Sequence, residues 1–136
     1  MNPKVYLAGG FRSNWQQLVI NKCNKGFIFF NPKEHGLENN IDHYTTWDLH
    51  HVKTANIVFA YMEKGNPSGY GLSLEIGYAH ALGKTIILVD EKSRHSEKFK
   101  RYFSIVRHSS NVVFESLEEG VEYLKSFRQS LNLLYT

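Results

Sequence analysis

The sequence has few cysteines, few prolines and little net charge. Its single cysteine, Cys23, excludes an internal disulfide and a thiolate metal cage, so we expect a reducing, cytoplasmic setting. Sixteen basic and thirteen acidic residues give a formal net charge of +3, too small to favour nucleic acid or an anionic membrane as partner. The first residues lack a signal-peptide pattern, and no stretch is apolar enough to span a membrane. These absences favour a soluble cytoplasmic protein.

Apolar runs alternate regularly with segments of helical period. With 136 residues, 42% of them apolar, the chain is large enough for one domain over 1–136. The apolar runs predict five strands, at 5–8, 27–30, 56–61, 85–89 and 112–114. Between them we expect helices near 15–22, 43–53, 71–82, 96–106 and 116–131, and a loop at 33–42. Ser116 and Glu119 fit a capping box that opens the last helix.

This alternation predicts the fold class. Strands separated by helices form a parallel sheet with right-handed crossovers and helices on both faces, which is an α/β architecture of three layers. In such sheets ligands bind at the carboxyl ends of the strands. We therefore expect the functional residues in the loops that follow the strands.

The familiar signatures of α/β enzymes are incomplete. Gly83-Lys84-Thr85 looks like the end of a phosphate-binding loop, but it precedes a predicted strand instead of following one. Gly69 and Gly71 form only part of a dinucleotide fingerprint. The seven histidines show no metal-ligand spacing, so we interpret them as surface or hydrogen-bonded residues. The sequence predicts neither a metal nor an organic cofactor.

Four polar residues stand near predicted strand ends, where they could converge. Tyr6 lies in the first strand, Arg12 just after it, Asp48 on the helix at 43–53, and Glu75 in the first turn of the helix that follows the glycine loop. Each also has a plain structural interpretation. Glu75 could complement a helix dipole, Asp48 could be a solvated helix residue, and Tyr6 could belong to the core. Arg12 could be a surface residue at a turn from strand to helix. The residues alone leave both interpretations open.

Four segments together carry a family resemblance: KVYLAGGF at 4–11, WDL at 47–49, ANIV at 55–58, and GYGLSLEIGYA at 69–79. They resemble the nucleoside 2-deoxyribosyltransferase family, whose superfamily includes nucleoside 5′-monophosphate N-glycosidases. The resemblance extends from Lys4 to about Glu119. It implies a flavodoxin-like fold and an enzyme that transfers or hydrolyses the bond between a base and a deoxyribose, with a small-molecule nucleoside or nucleotide as partner.

The resemblance also implies roles for individual residues. Glu75 matches the nucleophile that forms a covalent glycosyl-enzyme, and Tyr6 matches the tyrosine that holds this carboxylate. Asp48 matches the acid that protonates the leaving base. Asn111 matches an asparagine lent to a neighbour's active site, which implies a homo-oligomer, at least a dimer.

Two departures leave the substrate open. Nucleoside-using members carry an acidic residue six positions before the nucleophile, where this chain has Gly69. The turn after the first strand instead resembles the phosphate-holding turn of the monophosphate N-glycosidases. This resemblance implies that Arg12, Ser13 and Ser68 could hold a phosphate. The alternatives to the deoxyribosyltransferase are therefore a nucleoside 5′-monophosphate hydrolase and a nucleotide-binding domain without turnover. The predicted substrate-binding residues are Gly9, Gly10, Phe11, Arg12, Ser13, Ser68, Gly69, Gly71 and Asn111.

Overall fold

The computed structural model describes residues 2–66 and 69–135. They form one five-stranded sheet, in which every described pair of neighbouring strands is parallel. The strands are β1 (Lys4–Gly9), β2 (Ile28–Phe30), β3 (Ile57–Met62), β4 (Thr85–Asp90) and β5 (Val112–Phe114). Their order is β2-β1-β3-β4-β5. The predicted α/β fold with about five parallel strands is confirmed.

Within the described residues, six α-helices connect or follow these strands. They are α1 (Trp15–Cys23), α2 (Ile41–Thr54), α3 (Tyr70–Ala81), α4 (Glu97–Tyr102), α5 (Ser104–His108) and α6 (Leu117–Tyr135). Ser116 begins α6 as predicted, because its Oγ accepts a hydrogen bond from Glu119 N at 3.2 Å and donates one to Glu119 Oε1 at 2.9 Å.

Two apolar clusters, one on each face of the sheet, make the three layers. In β1, Val5 and Leu7 belong to the cluster that includes residues of α1 and α6, whereas Tyr6 and Ala8 belong to the cluster that includes residues of α2 and α3. This assignment follows from the alternation of side chains along a strand. It places Tyr6 on the same side of the sheet as the helices that carry Asp48 and Glu75.

Three local expectations were wrong. The helix expected over 96–106 is divided at Phe103, whose ring stacks on Phe99 with centroids 4.3 Å apart. The loop expected at 33–42 includes a 3₁₀ turn, Pro32–Glu34, and α2 already begins at Ile41. The helix expected from residue 71 begins at Tyr70.

The strand order also determines where a ligand fits. From β1 the chain crosses to β2 on one side and then returns to β3 on the other, so the connections after β1 and β3 diverge. Such a switch point leaves a crevice at the carboxyl ends of the two strands. Tyr6 and Gly9 of β1 and Met62 of β3 all border this crevice.

Candidate active site

A cavity of about 330 Å³ lies in this crevice. Its walls are the turn after β1, one face of α2, and the beginning of α3 with the residue that precedes it. Its two acidic lining residues are Asp48 and Glu75. The other lining residues are Tyr6, Gly9, Gly10, Phe11, Pro32, Tyr44, Thr45, Leu49, Tyr61, Met62, Asn66, Gly69, Tyr70, Gly71, Leu72 and Leu74.

Tyr6 and Glu75 form a hydrogen-bonded pair inside the cavity. Tyr6 is fully buried in β1, and its hydroxyl donates to Glu75 Oε2. Burial, reinforced by the neighbouring charge of Glu75, raises the pKa of Tyr6 far above its ordinary value. The tyrosine therefore stays protonated and acts as a permanent donor to one oxygen of the glutamate.

Glu75 lies in the second turn of α3, not in the first as we expected. It is the sixth residue of the helix, because α3 begins at Tyr70. Burial raises the pKa of Glu75 to about 7, the Tyr6 hydrogen bond opposes this rise, and the charge of Asp48 adds to it. A carboxylate that only complemented a helix dipole would stand in the first turn, in contact with water. That interpretation of Glu75 is wrong.

Asp48 reaches the cavity from α2. It shares a helix face with Tyr44 and Thr45, which precede it by four and three residues, and all three line the cavity. Burial raises the pKa of Asp48, and the nearby His35 opposes the rise. One oxygen, Oδ1, is shielded from solvent. The alternative that Asp48 is simply a solvated residue is therefore wrong.

The glycine turn after β1 lets the backbone form the cavity wall. Gly9 has φ +155°, and a Cβ there would come within 2.8 Å of both the Trp15 ring and the Tyr61 carbonyl oxygen. The carbonyl of Gly10 accepts hydrogen bonds from Trp15 Nε1 at 2.9 Å and Gln16 Nε2 at 3.1 Å. These contacts join the turn to the first residues of α1. A larger residue at position 9 has no space and an unfavourable backbone conformation.

A second set of contacts holds the segment that follows β3. Tyr61 OH donates to Glu91 Oε2 at 2.7 Å, and the backbone N–H of Lys64 donates to Glu91 Oε1 at 3.2 Å. Lys92 Nζ donates to the carbonyl of Asn66, which lines the cavity. Residues after β4 thus fix one rim of the cavity.

Not all the predicted site residues meet in the cavity. Gly9, Gly10, Phe11, Gly69 and Gly71 line it together with Tyr6, Asp48 and Glu75. Ser68 lies outside the described residues.

Arg12 and Ser13 do not line the cavity, although we expected them to hold a phosphate there. Arg12 is exposed, and the Ser13 carbonyl accepts a hydrogen bond from Lys33 Nζ at 3.3 Å. Phe11, the residue before Arg12, lines the cavity instead.

Asn111 precedes β5 and lies at the amino ends of the strands, opposite the end that carries the cavity. Its Oδ1 accepts a hydrogen bond from Ile86 N at 2.6 Å, and its backbone N–H donates to Ile86 O at 3.0 Å, near the beginning of β4. The cavity stands at the carboxyl ends of the strands. Asn111 is therefore not part of the cavity in its own chain, and its contribution to a neighbour's site stays a prediction.

His35 is the residue near this site that the sequence did not single out. Its ring is buried and stands 3.7 Å from Asp48, from Nε2 to Oδ1. It lies in the segment between β2 and α2, which has no helical or strand period of its own. A signal that could have found it is its position shortly after a strand end, as with Arg12.

Neither metal ligands nor a membrane helix stand out in residues 2–66 and 69–135. Within these residues no three or more His, Cys, Asp or Glu side chains are grouped so that they could hold a metal ion. No helix in the same part of the chain is both long and apolar enough to cross a membrane.

The fold and the cavity define an α/β protein with a tyrosine-bound glutamate and a second acid at the switch point of a parallel sheet. The chain belongs to the family described as nucleoside 2-deoxyribosyltransferase like, whose model matches residues 2–93. This match confirms the resemblance recognised in the sequence. No curated protein matches the chain in sequence.

Two solved structures are similar to this one. A 2-deoxyribosyltransferase from Bacillus psychrosaccharolyticus is 23% identical with a TM-score of 0.63, over 85% of this chain and 88% of that one. A CMP N-glycosidase of Clostridium botulinum is also 23% identical, with a TM-score of 0.60, over 89% of this chain and 97% of that one. At this identity both similarities show the fold.

Proposed function

We propose that this protein is an enzyme that cleaves or transfers the N-glycosidic bond of 2′-deoxyribonucleosides through a covalent glycosyl-Glu75 intermediate. The observation that carries the proposal is the Tyr6–Glu75 pair in the cavity wall, within electrostatic reach of Asp48. Family membership supports the same reaction class. The geometry supports a separate task for each of the three side chains.

Glu75 is the nucleophile. A carboxylate oxygen bonds to C1′ of the sugar while the bond from C1′ to the base nitrogen breaks, and its electron pair leaves with the base. Tyr6 holds Oε2 by its hydrogen bond, which leaves Oε1 to attack. Burial disfavours the charged carboxylate. Formation of the bond to C1′ removes this charge, so burial favours the attack.

Asp48 is the general acid. Its proton passes to the base as the glycosidic bond breaks, so the base leaves as a neutral molecule. Burial raises the pKa of Asp48 and so favours the protonated form that this step needs. In the second step a new base, or water, attacks C1′, and the bond to Glu75 breaks with its electron pair returning to the carboxylate. Asp48, which is ionised after the first step, takes up the proton that the attacking group loses. Two displacements return the sugar to its original configuration.

The charge of the cavity favours a nucleoside over a nucleoside 5′-monophosphate. Among the described lining residues, two are acidic and none is lysine or arginine. A phosphate dianion would need a cationic partner or several free N–H groups there. Arg12, which we expected in that role, is exposed and outside the cavity. The monophosphate hydrolase is the second candidate, since the similar CMP N-glycosidase shares this fold and the glycine turn suits a phosphate.

Two incubations test the proposal. In the first, the protein receives a 2′-deoxynucleoside and a different free base; in the second, a 2′-deoxynucleoside 5′-monophosphate in water. A new nucleoside in the first identifies a transferase, and free sugar with free base identifies a nucleoside hydrolase. Free base with sugar phosphate in the second identifies the monophosphate hydrolase. Binding without turnover in both would identify a nucleotide-binding domain and refute the enzyme.

A matched pair of variants assigns the activity to the cavity. Glu75→Ala is expected to abolish turnover, since nothing else in the described cavity wall is placed like this carboxylate against Tyr6. Glu34→Ala removes an exposed carboxylate that does not line the cavity and is expected to retain it. Equal activity of the two variants would refute the role of Glu75.

A further inference from the structure

His35 is a buried histidine that the proposed reaction does not use. Only 3% of its side chain is exposed. Its ring stacks on Tyr44, with centroids 6.2 Å apart, and meets the edge of Trp47 at 5.0 Å. Both aromatic residues belong to α2, the helix that carries Asp48. The ring is thus held firmly against the helix of the proposed acid.

The backbone determines which ring nitrogen carries the proton. Leu37 N–H donates to His35 Nδ1 at 2.9 Å. A ring nitrogen that accepts a hydrogen bond has no proton, so in the neutral ring the proton lies on Nε2. Nε2 is the nitrogen that faces Asp48 Oδ1, at 3.7 Å. His35 therefore presents an N–H donor to the acid.

The two oxygens of Asp48 have different surroundings. Oδ1 is shielded from solvent and has no hydrogen bond within residues 2–66 and 69–135. The side chain as a whole keeps 20% of its surface exposed and lines the cavity, which leaves Oδ2 as the open oxygen. A buried acceptor without a donor is costly, and catalytic contacts that are long in the free enzyme commonly tighten when substrate binds.

We propose that His35 is a positioning residue whose Nε2–H holds Asp48 Oδ1 and so directs Oδ2, with its proton, at the leaving base. The inference rests on the proposed function, because only an acid that protonates a base needs this orientation. No covalent bond forms or breaks at His35. The ring keeps its proton, and Asp48 alone transfers one.

The charged and titratable groups around His35 and Asp48 determine how the activity should respond to pH. Glu38 stands 4.0 Å from Nδ1 on the far side of the ring, and Tyr44 packs on the ring from α2. On the side of the cavity, the Tyr6–Glu75 pair is close enough to interact with Asp48 electrostatically. An N–H group aimed at Oδ1 stabilises the ionised carboxylate, which agrees with the direction in which His35 shifts the pKa of Asp48. Loss of this donor therefore raises that pKa further.

Two substitutions separate the donor from the ring. His35→Phe keeps the aromatic packing and removes both nitrogens, whereas His35→Gln keeps an N–H donor near the position of Nε2 and removes the ring. We expect His35→Phe to lower kcat about 10- to 100-fold, with KM little changed, and His35→Gln to recover most of this loss. His43→Gln, an exposed histidine on α2, is the matched control and keeps wild-type rates.

The pH profile tests the mechanism of the effect. The reaction needs protonated Asp48, so activity is lost as pH rises through the pKa of this group. In His35→Phe this alkaline limb should move to higher pH. In an Asp48→Asn background His35→Phe should have no further effect on kcat, because the residue it positions is gone. A full additional loss there, or an unmoved limb with a lower kcat, would show a purely structural role and overturn the proposal.

Two measurements by NMR need no turnover. The ¹⁵N shifts of the His35 ring should show a proton on Nε2 and none on Nδ1, and the Asp48 carboxyl should titrate at higher pH in His35→Phe than in wild type. The opposite tautomer, or an unchanged titration, overturns the contact itself. If both hold but no nucleoside or nucleotide is cleaved, the proposed function fails while the His35–Asp48 contact stands.

Discussion

Replacing Glu75 by glutamine should stabilise the fold, and increasingly so as pH rises. The native state raises the pKa of Glu75 from 4.5 to about 7 because the carboxyl is buried. Between these pH values the folded chain binds more protons at this site than the unfolded chain does. Stability therefore falls as pH rises through this window, and below about pH 4.5 the group has no effect. Glutamine carries no charge at any pH and still accepts the Tyr6 hydrogen bond.

The size of the effect follows from the two pKa values. Each pH unit that separates 4.5 from 7 corresponds to about 1.4 kcal/mol, so ionised Glu75 costs the fold about 3 kcal/mol above pH 7. About 2.5 kcal/mol of this develops between pH 5 and pH 8. For a domain of this size, that is a large part of the ordinary free energy of unfolding.

Urea unfolding of wild type and Glu75→Gln at pH 5 and pH 8 measures the difference directly. The free energy of unfolding of the variant should exceed that of wild type by about 1 kcal/mol at pH 5 and by about 3 kcal/mol at pH 8. Glu34→Gln, at an exposed position, controls for the loss of one charge. The reasoning is refuted if the advantage of Glu75→Gln is the same at both pH values, or if the variant is less stable at pH 8.

Three further predictions concern the cavity. Tyr6→Phe removes a hydrogen bond that lowers the pKa of Glu75, so the acid limb of kcat/KM should move to higher pH while kcat falls at least 10-fold; an unmoved limb would contradict the pair. Gly9→Ala should lower the free energy of unfolding by about 2 kcal/mol or more in thermal melts, because φ is +155° and the space is filled; an unchanged melting temperature would argue against this geometry. Arg12→Ala should leave deoxynucleoside turnover unchanged, because Arg12 is outside the cavity; a large loss confined to monophosphates would favour the second candidate.

The sequence predicts the sheet well because the core of a parallel sheet leaves a strong signal. Residues 57–61 are apolar on both faces, as a central strand requires, and β3 is buried at every position. The family motifs then identify Glu75 and Asp48, which the structure brings to one cavity. Both kinds of signal depend on residues within one element or one short motif.

What the sequence did not predict depends on contacts between elements. His35 comes close to Asp48 only because the segment after β2 folds back on α2, and that segment has no period from which to predict its path. The outward position of Arg12 depends on how the turn after β1 continues into α1. The helix breaks at Phe103, where φ is −104° and ψ is 17°, although no glycine or proline stands there.

The most direct test of the account is the mass of the intact protein after rapid mixing with a 2′-deoxynucleoside and quenching in acid. We predict an adduct of one deoxyribosyl group, which peptide mapping assigns to Glu75 and which is missing from Glu75→Ala. Turnover in which no adduct forms on wild type, or an adduct that persists in Glu75→Ala, would contradict Glu75 as the covalent nucleophile.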